Sequence, residues 1–311
     1  MFKNISLFVS LILLAPFSLM ASVHDSLIDD LKVLSSEHMQ GRKMHTLGAK
    51  RAAQYIALRY EEIGLASFNQ AYIHHFTDSL AWTDIEGENV IAWVEGKSHP
   101  DQYIVVTAHY DHLGHKHGKL FYGADDNASG VAAMLRLAAH LNQNTPNYSY
   151  IFVATDGEET QLWGAKAFLR ANLIPKAQIR LNINLDMIGQ NKTRSELYLH
   201  GLKRSKPSHR VIRKKLATAM NTAPARIVFS EARPRKDKRN IDWLKASDHY
   251  AFYQQGIPYL YLGVATHAYY HTVQDTWQNM DLTFYSQVSD SVLQLVEQID
   301  QLTKIELNAL N

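Results

Sequence analysis

Five short stretches of this chain place acids and histidines where they could do chemistry. They are His109-Tyr110-Asp111-His112-Leu113-Gly114, Gly123-Ala124-Asp125-Asp126-Asn127-Ala128-Ser129-Gly130, Asp156-Gly157-Glu158-Glu159, Asp186-Met187-Ile188-Gly189 and Tyr270-His271-Thr272-Val273-Gln274-Asp275-Thr276. Each has an ordinary reading when taken singly. A lone histidine after a strand is most often a satisfied polar residue, a Glu-Glu pair suits the start of a helix, and Gly-Ala-Asp-Asp-Asn is built of turn formers. The combination demands more. Carboxylates gathered in one place repel one another unless a cation sits among them, so the pattern asks for metal.

Whether they gather depends on the elements that carry them. Strand candidates, short and rich in β-branched or aromatic residues, are Asn89–Val94, Tyr103–Ala108, Tyr150–Ala154, Ile179–Leu185, Glu196–His200, Arg226–Phe229 and Tyr259–Leu262. Helical periodicity marks Asp25–Leu34, Leu47–Ile63, Ser129–Asn142, Leu162–Ala171, Ser208–Met220, Asp248–Gln255 and Phe284–Ile305. Near-uniformly apolar strands alternating with helices predict an α/β/α sandwich with a mostly parallel central sheet. In such sheets the ligand site lies beyond the carboxyl ends of the strands. Four of the five stretches follow a strand candidate and the fifth feeds a helix, so all five are expected at one edge of one sheet.

The rest of the chain sets bounds. Met1 to Ala21 has one basic residue, Lys3, an apolar run from Leu7 to Leu14, a break at Pro16 and small residues before Ser22. That is the layout of a secretory signal peptide, and the run is short for a span of about 20 residues. The expectation is an exported protein, periplasmic or extracellular, with 1–21 as leader, 22–311 as one catalytic domain and no stable membrane association after cleavage. The chain has no cysteine, so disulfides contribute nothing and a lipid-anchored cysteine is excluded. A formal charge of +2 offers no field for nucleic acid. Arg233, Arg235, Lys236, Lys238 and Arg239 form a local basic run, read as a solvated loop. His112, His115 and His117 are read as polar residues of the loop after His109.

In this order the motifs HxD, GADDNASG, DGEE, NLDMIG and YHTVQDT resemble the co-catalytic dizinc aminopeptidase family, which also holds glutamate carboxypeptidases, glutaminyl cyclases and transferrin-receptor-like proteins. The similarity extends to Gln40-Gly41-Arg42, to Ser247-Asp248-His249 and to Gly256-Ile257-Pro258. It implies two Zn²⁺ per chain, with His109 and Asp186 on one, Glu159 and His271 on the other, and Asp126 bridging both, often followed by a cis peptide. It implies Glu158 as general base, Asp111 as the partner that orients His109, Asp275 as a support for His271, and Tyr270 as a hydrogen-bond donor to the developing oxyanion. The chain departs from the family at Thr160-Gln161-Leu162-Trp163, where a glycine usually follows the paired glutamates. The implied activity is an aminopeptidase acting on peptide substrates. A glutaminyl cyclase-like acyltransferase, a carboxypeptidase or dipeptidase, and a binding module on a dead peptidase fold are the alternatives; the last is disfavoured because no ligand position is lost.

Overall fold

The computed structural model describes residues 26–80, 83–190, 196–231 and 241–310. The expected leader, 1–21, and the basic run Arg233 to Arg239 lie outside the described residues. The helices are α1 (Leu27–Leu34), α2 (Leu47–Ile63), α3 (Gly130–Gln143), α4 (Trp163–Ala171), α5 (Pro207–Thr222), α6 (His249–Gln254), α7 (Leu282–Asp300) and α8 (Lys304–Asn308). The strands are β1 (Ala66–Ser67), β2 (Ile73–Leu80), β3 (Thr83–Val94), β4 (His99–His109), β5 (Gly114–Lys116), β6 (Lys119–Phe121), β7 (Tyr148–Thr155), β8 (Ile179–Leu185), β9 (Glu196–His200), β10 (Arg226–Ser230) and β11 (Tyr259–Gly263).

The central sheet runs β1-β3-β7-β4-β8-β11-β9-β10, with β2 hydrogen-bonded to β3. Its middle, β7-β4-β8-β11, is parallel throughout, whereas β3 and β9 pair antiparallel with the two ends of that block. Successive side chains of a strand point to opposite faces, and here both faces are apolar. Ile104 and Val106 of β4 join one core cluster while Val105 joins the other, and Tyr150 and Phe152 of β7 are likewise separated from Ile151 and Val153. Residues of α1, α2, α3, α5 and α7 fill the first cluster, and those of α4 and α6 the second. A sheet covered on both faces explains why its strands read as continuous apolar runs. The α/β/α sandwich expected from the alternation is therefore the fold.

Two departures have local causes. The β2–β3 hairpin extends the sheet from Ile73↔Val90 to Leu80↔Thr83; its sequence mixes His, Asp, Glu and Thr and carries no apolar period. The last helix, expected unbroken to Ile305, stops at Asp300, whose carboxylate accepts from the Asn147 and Tyr148 amides at 2.7 and 3.2 Å. A new helix then starts from a capping box, the Thr303 side chain accepting from the Glu306 amide and Glu306 reaching back to Thr303.

Candidate metal centre

The parallel block sets the site. β4 ends at His109, β7 delivers Glu158 and Glu159, β8 runs into Asp186, and the loop after β11 carries Tyr270 and His271. Asp126 lies in the irregular turn Ala124–Ser129 that opens α3, and its peptide bond to Asn127 is cis. Three side chains fix that turn. Asp275 accepts from the Asp125 and Asp126 amides at 2.9 and 3.1 Å. Asn127 donates to Leu185 O and accepts from the Met187 amide, tying the turn to the end of β8. His267 Nε2 meets the Asp125 carboxylate at 3.0 Å, which anchors the loop that bears His271. Asp275 thus holds the Asp125–Asp126 backbone rather than the His271 ring, because its oxygens face those two amides.

All five expected ligand residues converge. His109 Nε2 lies 3.3 Å from Asp186 Oδ1 and 3.4 Å from Asp126 Oδ1, and 3.9 Å from Glu158 Oε2. His271 Nε2 lies 3.0 Å from Asp126 Oδ2 and 3.3 Å from Glu159 Oε2. One oxygen of Asp126 therefore faces each histidine. Asp111 takes part differently from the expectation. His109 Nδ1 is 3.1 Å from the main-chain oxygen of Asp111 and 3.7 Å from its carboxylate. The carboxylate also accepts from the Glu158 and Glu159 amides at 3.0 and 3.3 Å, so it sets the turn that aims both glutamates. Tyr270 stacks on the His271 ring with centroids 3.9 Å apart and lines the same cleft.

His112 lies in the loop after His109, as expected, but it is not a solvated polar residue. His115 and His117 are exposed, but His112 is 1% exposed and points into the cluster. Its Nδ1 is 2.9 Å from Glu159 Oε1 and 3.6 Å from Asp126 Oδ2. Its ring lies against Gly123, where an added Cβ would come within 2.5 Å of His112 Cγ and 2.3 Å of Asp126 O. That glycine, at φ +61°, is the sequence signal that something bulky passes close by. A second buried residue was noted in sequence only as part of Gln40-Gly41-Arg42. The Arg42 guanidinium is fully buried and donates to four main-chain carbonyls, those of Leu34, Tyr110, Tyr122 and Gly123, at 2.6 to 2.8 Å. It ties the His109–Asp111 loop to the turn before Asp126 from beneath. Burial lowers its pKa to about 10, while Asp275, Asp126, Asp111 and Glu159 pull it back up.

The electrostatics are set by buried carboxylates packed against imidazoles. Burial pushes the Glu158 carboxyl well above its usual range; His109 opposes this, and Asp186 and Glu159 add to it. Burial raises Asp186 too, against the pull of His109. Glu159 ends well below the usual range, since His112 and His271 outweigh its burial. His271, lowered by burial, is carried up to about 10 by Asp126 and Glu159. Zinc suits these residues. Donors on one tetrahedral zinc, at about 2.0–2.1 Å from it, stand roughly 3.3 Å apart, and the contacts above fall between 2.9 and 3.6 Å. His112 Nδ1, Asp126 Oδ2 and Glu159 Oε1 are buried with no hydrogen-bond partner, which is costly without an ion to satisfy them.

The fold and this centre define an α/β architecture with two adjoining groups of residues, each able to hold a metal ion. Residues 89–296 match Peptidase family M28, and the chain belongs to that zinc metallopeptidase family. It is 35% identical over 164 residues to the alkaline phosphatase isozyme conversion protein of Escherichia coli, covering 47% of this chain and 46% of that one. The chain spans less than half the length of the curated relatives it matches first. Its fold is shared with a zinc aminopeptidase from Bacillus subtilis, at a TM-score of 0.70 and 17% identity over 88% of this chain and 94% of that one. It is shared equally with the glutaminyl cyclase of Porphyromonas gingivalis, at a TM-score of 0.69 and 18% identity over 88% and 98%.

Proposed function

We propose that the chain is a two-zinc aminopeptidase, exported behind a signal peptide of residues 1–21 to the periplasm or medium, with 22–311 as its catalytic domain. Asp126 would serve both metals, His109 and Asp186 would complete one site, and Glu159 and His271 would hold the other. Zinc, when bound, supplies Lewis acidity and lowers the pKa of a water toward about 7. Glu158 takes the proton of the attacking water and returns it to the leaving amine, a role that suits a carboxyl whose proton affinity is raised. Tyr270 donates to the developing oxyanion. Asp111 and Asp275 hold the backbone of the turns that carry Glu158, Glu159 and Asp126.

The observation that carries the choice of an aminopeptidase is the lining of the cleft. Asp126, Glu158, Glu159 and Asp186 line it together with Met187, Trp243, Tyr261 and Val264, and no lysine or arginine lines it among the described residues. A substrate α-ammonium finds acids there. A substrate carboxylate finds no cationic clamp among the described residues. The apolar lining suits a hydrophobic first side chain. The test compares amino-acid anilides and short peptides with their N-acetylated forms. Free-amine substrates are expected to be cleaved from the amino end and the acetylated ones spared. Equal cleavage of both, or release of carboxyl-terminal residues first, reverses the polarity. The shared fold with a glutaminyl cyclase supports a second reading, in which ammonia is released from amino-terminal glutamine with no peptide bond cleaved; the same screen separates the two.

A further inference from the structure

The two halves of the centre differ in the number of ligands they offer. Around Asp126 Oδ1 stand His109 and Asp186, three protein residues in all counting Asp126 itself. Around Asp126 Oδ2 stand His271 and Glu159, and His112 as well. Its Nδ1 and the Asp126 and Glu159 oxygens lie within 4.8 Å of one another, the same compass as the His109, Glu158 and Asp186 group. An ordinary ion pair between His112 and Glu159 would place the carboxylate oxygen along the ring N–H. At 2.9 Å the approach is instead oblique, and neither ring nitrogen makes a hydrogen bond of acceptable geometry. Three buried atoms with lone pairs therefore converge without bonding to each other, as donors do when they share an ion. His271 closes the same cluster from the outer side, its ring edge-on to His112 with centroids 5.9 Å apart.

We propose that His112 is a fourth protein ligand of the metal held by Asp126, Glu159 and His271, so that this site is closed while the His109–Asp126–Asp186 site stays open. The proposal rests on the metallopeptidase reading above and adds an asymmetry to it. Four protein ligands are the mark of a structural zinc site, whereas three and an open position are the mark of a catalytic one. The open half is the one beside Glu158, 3.9 Å from His109. The closed half binds first and more tightly, and orders Asp126 for the other.

The experiment reads metal directly. Chelator-treated protein is titrated with Co²⁺, whose visible absorption is intense in four-coordinate sites and weak at higher coordination, and Zn²⁺ affinity is taken by competition. In the wild type the first equivalent is expected to give the intense band. His112→Gly, with water in place of an imidazole, is expected to shift that band and to bind its first zinc more than ~100-fold more weakly, beyond the 10–100-fold typical of an outer partner, with free imidazole restoring both. His115→Ala, at an exposed position, is expected to leave both unchanged. Zinc-edge X-ray absorption of the loaded wild type, which needs no variant to fold, is expected to count three imidazoles over two zincs. Two imidazoles over two zincs, or a His112→Gly protein with the wild-type band and affinity, overturns the proposal. A wild type that binds one equivalent, lost in His112→Gly, sinks the two-metal reading and keeps His112 as a ligand. One equivalent indifferent to His112, or none, removes both.

Discussion

Glu158 and Glu159 are consecutive residues on one turn, held by the two oxygens of Asp111, yet their carboxyls are driven in opposite directions. Glu158 faces a single imidazole, with Asp186 and Glu159 beside it, and its burial raises it. Glu159 faces His112 and His271, and these overcome its burial. The same contrast runs through the two halves of the centre. In one half a single imidazole faces a carboxyl that burial drives up; in the other, two imidazoles face a carboxylate that they drive down. On the roles proposed for them, proton carrier and metal ligand, the two glutamates are told apart by the imidazoles each meets and not by position along the chain.

The largest expected effect tests that division. Glu158→Gln keeps the shape of the turn and removes the titrating group, so kcat falls at least ~10²-fold, the lower bound for losing an acid–base residue, while zinc content is unchanged. Elemental analysis beside steady-state kinetics checks this. If turnover stays near wild type, the open half is not where the proton moves, and the comparison between the two glutamates loses its meaning.

Arg42 lies under both halves and supplies the control on their independence. Arg42→Met removes a buried cation and leaves four carbonyls without their donor, a loss of about 3–5 kcal/mol of stability by analogy with broken buried ion pairs. Because the guanidinium joins Tyr110 O to Gly123 O, the distance between His109 and the Asp126 turn should relax and both metal affinities fall together. Denaturant melts of metal-free and zinc-loaded protein, with zinc affinities, measure this. Loss of affinity at one equivalent alone would mean that Arg42 serves only one of the two loops.

How much of this could be read in sequence follows from which residues have local signatures. The seven strand candidates all form, and those of the parallel block read as apolar runs because they are covered on both faces. The convergence of His109, Asp126, Glu159 and Asp186 was visible because each sits at or just after a strand end or at a helix entry whose place the fold dictates, and His271 follows on the loop after β11. Hidden were contacts made through the main chain. Asp111 and Asp275 looked like partners for histidine rings, but their carboxylates grip backbone amides, which no side-chain pattern reveals. Arg42 is 68 residues from Tyr110, and no periodicity links it to the site. His112 sits in a loop beside two exposed histidines, and only the space left by Gly123 sets it apart.

Asp248 provides the smallest test, and it probes the open half alone. Its side chain is fully buried; Thr155 Oγ1 donates to one oxygen at 2.5 Å, and the other oxygen has no partner. Burial raises the carboxyl to about 7; His109 and Thr155 oppose this, and Asp111 and Asp186 add to it. An unfolded aspartate titrates near about 3.9, so between about pH 4 and 7 the folded protein holds a proton that the unfolded chain has released. By linkage this carboxyl's contribution to stability is complete below about pH 4 and is lost as pH rises through about 7. Asn at this position cannot ionise. The metal-free Asp248→Asn protein should therefore gain on metal-free wild type in melting temperature as pH is raised across that window, by a few degrees. Zinc beside His109 and Asp186 offsets the buried negative charge, so loading should shrink the gap. A gap independent of pH in the metal-free pair would show Asp248 ionised throughout, with a charge balance around His109 different from the one that separates the two halves.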